Sequence, residues 1–236
     1  MNYNYIRTDT AAHVFTLTLA RPEKRNAFTP SMVSEIAHAL DIANKDDTIK
    51  LVLVRAEGPV FCAGMDLHTF RDPSMDVVNP AVPVTDSSLG EVMDSLRKPS
   101  IAIVEGDVIA GGFLLVLGCT YVFARSAVRF RLPEVALGIF PFQVMASLYK
   151  VMPEKQVLQL CLETEYFDIE KALRLGIVDA IYEEAAVTQL IASFKELDTR
   201  TLSAGIGALR KLPSIAKDKH YSFLKECLEN LRDEKN

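Results

Sequence analysis

The first part of the chain has alternating strand and helix patterns. Phe15, Leu17 and Leu19 alternate with threonines, which predicts a strand with one exposed face. Thr29 and Pro30 are typical of a helix start, and apolar residues recur at helical spacing after them: Val33, Ile36, Ala37, Leu40 and Ala43. The apolar run at 49–54 predicts a strand buried on both faces. The order is a strand, helix, strand unit, and the predicted fold class is α/β.

The rest of the chain adds strands and then mostly helices. We predict a buried strand at 100–104, and a central helix at 113–117 because this segment is apolar on every side. Shorter strands are predicted at 121–124 and 127–131. Further elements are expected as follows: helices at 143–151, 154–162 and 169–175, the last closed by Gly176, a strand at 177–182, and helices to the C-terminus.

Residues 72–90 interrupt these patterns. The segment contains three prolines and many small or polar residues, which predicts a long loop. Loops of this length are uncommon in compact domains and are usually functional or mobile. The segment therefore either borders a functional site or is a surface excursion.

Composition narrows the class of protein. The 236 residues are 49% hydrophobic and 24% charged, which suits one well-buried domain with a possible helical appendage. A net charge of −5 argues against a nucleic-acid binder, although Arg21, Lys24 and Arg25 are possible ligand contacts. The four cysteines are widely spaced, so neither disulfides nor structural zinc are expected. We expect no membrane span, no N-terminal targeting segment and no peroxisomal address at residues 234–236, and thus a cytoplasmic protein.

Two segments, 61–67 and 106–112, combine a buried-strand pattern with a turn of small residues. Each turn alone could be an ordinary connection between a strand and a helix. Together, two such turns can direct two backbone N–H groups at one point, which is what holding an anionic oxygen requires. Such a site suits a thioester or ester carbonyl that becomes an enolate.

With the segments 21–28 and 133–138, these two turns make four motifs in a fixed order. In this order they resemble the crotonase family, the enoyl-CoA hydratases and isomerases, over about residues 14–178. The resemblance implies a crotonase-like spiral of ββα units, with a core domain at 1–182 and a C-terminal helical region at 183–236. It implies an acyl-CoA substrate, no cofactor beyond that coenzyme A, and residues 72–90 beside the acyl pocket.

The resemblance also implies site residues and an assembly. By position, the catalytic groups are the backbone N–H groups of Met65 and Gly111 and the carboxyl group of Glu134. The implied substrate-binding residues are Lys24, Arg25, Ala63, Gly64, Asp66, Leu67, Gly112, Leu114 and Phe142. In the family the C-terminal helices pack over the active site or against a neighbouring subunit, so the resemblance implies a homotrimer or a hexamer. An apolar stripe near the C-terminus of this chain needs such cover: Tyr221, Leu224, Leu228 and Leu231.

The sequence departs from the family at one proton-transfer position. Hydratases of the family have a glutamate where this chain has Leu114, and the position used by some isomerases is Pro141 or Phe142 here. Glu134 would then act alone, which favours isomerisation over hydration. A hydratase of reduced activity and a catalytically silent acyl-CoA-binding paralogue are the alternatives. A serine hydrolase of the related protease fold is disfavoured, because neither turn offers a serine.

Each of these residues also has a structural interpretation. Glu134 could be a solvated loop carboxylate, and Lys24 and Arg25 a solvated turn. Asp66 could serve only as a helix N-cap, and Gly111 with Gly112 only as close strand-to-helix packing. If Glu134 does lie in a pocket lined by Phe113, Leu114, Phe140 and Phe142, burial should raise its pKa. The four histidines lack metal-ligand spacing, so we expect no metal.

Overall fold

A computed structural model describes residues 2–233. Within this range the strands are β1 (Ile6–Ala11), β2 (Val14–Leu19), β3 (Leu51–Ala56), β4 (Val60–Cys62), β5 (Ser100–Val104), β6 (Asp107–Ile109), β7 (Tyr121–Ala124), β8 (Phe130–Arg131) and β9 (Ala180–Ile181). The helices are α1 (Pro30–Lys45), α2 (Leu67–Arg71), α3 (Leu89–Asp94), α4 (Gly112–Gly118), α5 (Phe142–Leu148), α6 (Glu154–Leu162), α7 (Ile169–Arg174), α8 (Glu184–Phe194), α9 (Thr199–Lys211) and α10 (His220–Asp233). None of these helices combines the length and apolar character that a bilayer crossing requires.

The strands form two sheets. The larger has the order β1-β2-β3-β5-β7-β9, with β1 antiparallel to β2 and every other pair parallel. The smaller sheet has the order β4-β6-β8 and is parallel. Strands β4, β6 and β8 directly follow β3, β5 and β7 in the chain, so three strands of the larger sheet each lead into a strand of the smaller one. Strands β4 and β6 end at Cys62 and Ile109, and the two predicted turns follow them directly.

The main core lies between the sheets and helices α1, α3 and α4. All seven residues of α4 are buried, as expected for a segment that is apolar on every side. A second cluster covers the other face of the larger sheet, where Val187 and Phe194 of α8 pack against Leu51, Ile101 and Phe123. Helix α8 is therefore packed on the sheet that carries the strands of the predicted core domain, and the boundary at residue 183 stays a prediction.

The strongest patterns gave correct elements. Strand β2, helices α4 and α6 and strand β5 lie where they were predicted, and the side chain of Thr29 caps α1 by accepting a hydrogen bond from the Met32 N–H. Strand β3 lies two residues further along than predicted, at Leu51–Ala56. The buried strands and helices of the α/β core were therefore predictable from hydrophobic periodicity.

Two strands are shorter than predicted, because their apolar residues are buried by turns. The Val128 N–H donates to the Arg125 carbonyl, so the strand predicted at 127–131 is reduced to Phe130–Arg131. The Ile177 and Val178 N–H groups donate to the Ala172 carbonyl, after Gly176 in the left-handed region. The strand predicted at 177–182 is reduced to Ala180–Ile181. Apolar runs alone cannot distinguish these two kinds of burial.

The segment predicted as a loop at 72–90 is tied to the body of the protein. The Asp76 carboxylate accepts hydrogen bonds from the Tyr5 hydroxyl at 2.9 Å and from the Ser31 N–H at 2.8 Å. The Asn79 amide donates to the Asn2 carbonyl at 2.9 Å. Helix α3 begins at Leu89, so the predicted end of the loop at residue 90 lies inside a helix. The segment is not a free surface excursion.

The C-terminal helices α9 and α10 pack against each other and are little buried. Thr199 is the one buried residue of α9, and α10 has none within its described length. The apolar face of α10 is wider than predicted, because Phe223, Cys227 and Leu231 line a groove against α9. Three residues of the predicted stripe stay exposed: Tyr221, Leu224 and Leu228. Leu231, predicted to share that outer face, instead lies on the side of α9.

Candidate functional site

The two glycine turns meet, as the sequence predicted. A Cβ atom built on Gly64 would lie 2.7 Å from the Ala110 Cβ and 3.0 Å from the Gly111 nitrogen. Gly64 also has a φ of +84°, in the region that favours glycine. A larger residue would therefore force the two turns apart. Ala110 itself has a φ of +51°, an unusual conformation for a residue with a side chain.

Segment 21–28 fixes the first turn. The Ala63 N–H donates to the Arg25 carbonyl at 3.0 Å, and the Phe28 N–H donates to the Gly64 carbonyl at 2.8 Å. The Asp66 N–H in turn donates to the Phe28 carbonyl at 2.9 Å. These bonds hold the backbone on both sides of Met65. The Met65 N–H itself makes no hydrogen bond to any of residues 2–233.

The second turn is fixed by strand β8. The Ala110 N–H donates to the Arg131 carbonyl at 2.9 Å, and Gly111 then caps the N-terminus of α4. The Gly111 N–H, like that of Met65, has no acceptor in the described part of the chain. A Cβ on Gly112 would lie 2.6 Å from the Cys62 carbonyl oxygen, so this glycine allows α4 to approach β4. Close packing explains Gly112 without a ligand.

Asp66 is both a helix cap and half of a buried ion pair. Its carboxylate accepts hydrogen bonds from the His68 and Thr69 N–H groups at the start of α2, which confirms the predicted N-cap. It also accepts from the Arg21 guanidinium at 2.7 Å, and both side chains are largely buried. Despite its burial, Asp66 has a lowered pKa because of these hydrogen bonds and the Arg21 charge. Arg21 was considered above as a ligand contact, but its guanidinium group instead binds Asp66 and the Ala27 carbonyl.

Glu134 lies in a short 3-10 helix directly after β8 and Pro133. The residue is only 8% exposed, and its Oε2 atom is buried without a hydrogen-bond partner in the described chain. Burial disfavours the charged form and raises the pKa of the carboxyl group above its ordinary value. Glu134 is therefore not a solvated loop carboxylate. Buried polar atoms are nearly always paired, so an unpaired carboxyl oxygen marks a candidate functional group.

These elements border one cleft of about 970 Å³. Most of the sequence-predicted site residues line it: Lys24, Arg25, Ala63, Met65, Asp66, Leu67, Gly111, Leu114, Glu134 and Phe142. Gly64 and Gly112 were predicted to bind substrate, but they do not line the cleft and instead allow the close approaches described above. This role could not be predicted from the sequence, because the atoms that Gly64 and Gly112 approach become neighbours only through tertiary packing.

The apolar wall of the cleft differs in part from the prediction. Leu114 is 1% exposed and borders the cleft, together with Phe140 and Phe142. Phe113 does not border it, because its ring points away from the cleft and packs against Phe130 and Phe167. Successive side chains of a helix point about 100° apart, and in α4 it is Leu114 that points to the cleft.

The sequence analysis missed Arg131 and Tyr166, which also line the cleft. No motif or spacing marked either residue. Lys24 and Arg25 are exposed at the cleft, so both their ligand-binding and their solvated-turn interpretations stay open. No group of three potential metal-ligating side chains is found in residues 2–233. All four cysteines have free thiols.

The architecture is that of the crotonase fold. The chain superposes on an enoyl-CoA hydratase from Mycobacterium smegmatis with a TM-score of 0.82 and 21% identity, covering 96% of this chain and 90% of that one. Human enoyl coenzyme A hydratase domain-containing protein 3 gives a TM-score of 0.82 with 22% identity, covering 96% and 91%. At these identities the likeness defines the fold alone.

The enoyl-CoA hydratase/isomerase family model matches residues 9–229. The chain belongs to the enoyl-CoA hydratase/isomerase family. It is 32% identical to the peroxisomal bifunctional enzyme of Cavia porcellus over 183 residues, which are 76% of this chain and 24% of that protein. It is 30% identical to the trans-2-decenoyl-(acyl-carrier-protein) isomerase of Streptococcus mutans over 187 residues, covering 78% and 71%. The chain thus spans about a quarter of the bifunctional enzyme.

Proposed function

We propose that this protein acts on an acyl-CoA thioester and stabilises its enolate with the backbone N–H groups of Met65 and Gly111. The observation that supports this best is the meeting of the two turns in one cleft with the buried carboxyl group of Glu134. Both N–H groups lack an acceptor in the described chain, and donors held rigidly before the reaction stabilise charge that develops in it. Removing one such donor typically lowers turnover by ~10²–10³.

Glu134 is proposed to move the proton alone. It removes a proton from C2 of a 3-enoyl thioester, and the electrons of the C2–H bond pass into the enolate. The carboxyl group then returns the proton to C4 as the double bond shifts to C2=C3. A raised pKa suits this role, because the group must both accept and release a proton near working pH. Leu114 offers no second carboxyl group to hold water, which favours isomerisation over hydration.

The relatives support a reaction of this class without fixing which one. The Streptococcus mutans relative is named as an isomerase, and a relative from Syntrophomonas wolfei, 27% identical over 92% of this chain and 83% of its own, is a crotonyl-CoA hydratase. Lys24 and Arg25, exposed at the cleft, are proposed to contact coenzyme A. The reaction is a proton transfer and calls for no other cofactor. A trimeric or hexameric assembly and a cytoplasmic location stay predictions.

A panel of 2-enoyl-CoA and 3-enoyl-CoA thioesters tests the proposal. We expect the wild-type protein to convert a 3-enoyl-CoA to its 2-enoyl isomer, and Glu134→Gln to lower turnover by ~10²–10⁴ while acyl-CoA binding persists. Glu154→Gln, which changes an exposed carboxylate at the start of α6, is the matched control. Wild-type turnover in Glu134→Gln would exclude single-carboxylate catalysis.

The second candidates are a hydratase of reduced or altered activity and a silent acyl-CoA-binding paralogue. The observation behind both is Leu114, which is buried at the position of a hydratase glutamate and borders the cleft. Leu114→Glu should raise hydration of a short 2-enoyl-CoA, with Leu114→Gln as the uncharged control. No rise in a folded variant that still binds CoA would favour the non-hydratase functions. The gain is limited if the new carboxyl group stays protonated in its buried setting.

A further inference from the structure

Arg131 borders the cleft and has a guanidinium group that two neighbours hold in place. Its Nε donates to the Thr164 carbonyl at 2.7 Å, and its guanidinium carbon lies 5.1 Å from the centre of the Tyr166 ring. Both Arg131 and Tyr166 border the cleft that contains Glu134. The carbonyl and the ring thus hold the group in place. The two terminal nitrogens of Arg131 make no hydrogen bond to any of residues 2–233.

The positive charge of Arg131 has no counter-charge in the described chain, in contrast to that of Arg129. The Arg129 guanidinium stacks on the same Tyr166 ring, at 4.5 Å, but forms an ion pair with Asp107 at 2.7 Å. No carboxylate within residues 2–233 lies within ion-pair distance of Arg131. A partly buried cation without a partner is costly, and an anion bound in the cleft would compensate it.

The backbone places Arg131 beside the proposed chemistry. Its carbonyl accepts the Ala110 N–H at 2.9 Å, next to Gly111 in the second turn. Glu134 follows three residues later, so the two Cα atoms lie within about 11 Å of each other. The pantetheine arm of coenzyme A separates the thioester from the phosphates. A group near the reacting carbons therefore faces the acyl portion of the substrate rather than the nucleotide.

We propose that Arg131 binds a carboxylate on the acyl group, so that the substrates are thioesters of dicarboxylic acids. This inference rests on the proposed acyl-CoA function. The free end of a guanidinium can bind both oxygens of a carboxylate, which adds geometric selectivity to the charge. The apolar side chains of Leu137, Ile139 and Phe142 border the same cleft and can contact the methylene carbons between the thioester and the carboxylate.

Binding of unreactive saturated thioesters tests this inference apart from catalysis. Titration calorimetry would compare glutaryl-CoA with pentanoyl-CoA, which has a methyl group in place of the carboxylate. We expect wild-type protein to prefer glutaryl-CoA, and Arg131→Gln to weaken glutaryl-CoA binding by about tenfold to hundredfold with pentanoyl-CoA unchanged. Arg129 also lies over the Tyr166 ring, but its charge is paired with Asp107. The control variant Arg129→Gln should therefore keep the wild-type preference for glutaryl-CoA.

The outcomes separate the possible sources of the anion. If Arg131→Gln weakens both CoA thioesters equally but leaves glutaryl-pantetheine unaffected, Arg131 binds a phosphate and the inference is wrong. Equal binding of the two CoA thioesters by wild-type protein would also overturn it, and this result needs no variant to fold. Failure of the wild type to bind either thioester would instead contradict the proposed function itself. Pentanoyl-CoA binding by Arg131→Gln confirms that the variant is folded.

Discussion

Helices α4 and α10 are both rich in apolar residues but lie in opposite environments. All seven residues of α4 are buried, whereas none of the fourteen residues of α10 is. Helix α4 is apolar on every side, so only the interior of the chain can accept it. Helix α10 is apolar on one side, of which α9 covers part and leaves Tyr221, Leu224 and Leu228 exposed. An amphipathic pattern therefore predicts that a face needs cover, but not which surface provides it.

The largest expected effect is on the free energy of unfolding, and it is tested by truncating one leucine in each helix. Leu115→Ala in α4 removes a fully buried side chain and should lower the free energy of unfolding by about 2–5 kcal/mol. Leu228→Ala in α10 changes a side chain that is 55% exposed and should alter it by no more than about 0.5 kcal/mol in a single chain. Urea unfolding of both variants measures the difference. A large, concentration-dependent loss for Leu228→Ala would mean that another subunit covers this face.

The second expected effect concerns assembly. If the exposed face of α10 packs between subunits, Leu224→Glu should shift a trimer or hexamer toward smaller species, because a buried carboxylate is costly. Light scattering at micromolar concentration measures the mass. Ser222→Glu, which adds the same charge at an exposed polar position of the same helix, should leave the assembly unchanged. A wild-type protein that is a stable monomer would refute the prediction.

The smallest expected effect is on the stability of a Glu134→Gln variant, whose gain over wild type should depend on pH. Glu134 borders the same cleft as the start of α4. Burial raises the pKa of Glu134 in the folded state, so ionising this group at neutral pH costs stability. The cost is absent below the unfolded pKa, grows as pH rises from there to the folded pKa, and is constant above it. Glu134→Gln should therefore be more stable than wild type at pH 7 and equally stable near pH 4. Thermal unfolding across this range measures the difference, and a constant difference would contradict the assigned cause.

The sequence identified most residues of the candidate site, because they lie in motifs whose geometry is local. The two turns, Asp66 as a helix cap and the position of Glu134 after Pro133 follow from neighbouring residues. Arg131 and Tyr166 could not be found in this way. They are thirty-five residues apart, and only tertiary packing brings the guanidinium over the ring. The roles of Gly64 and Gly112 in close packing likewise depend on segments distant in sequence.

By itself, the sequence determined the α/β fold class, the buried strands and the central helix, because a segment's hydrophobic period depends only on its own residues. It also determined which backbone turns and which carboxyl group could form the site. The tertiary structure decided which apolar runs pair as strands and which are buried by turns, as at Val128 and Ile177. It also decided that Glu134 is desolvated and that Arg131 has no counter-charge among residues 2–233. Desolvation and charge pairing depend on groups that the chain brings together only when it folds.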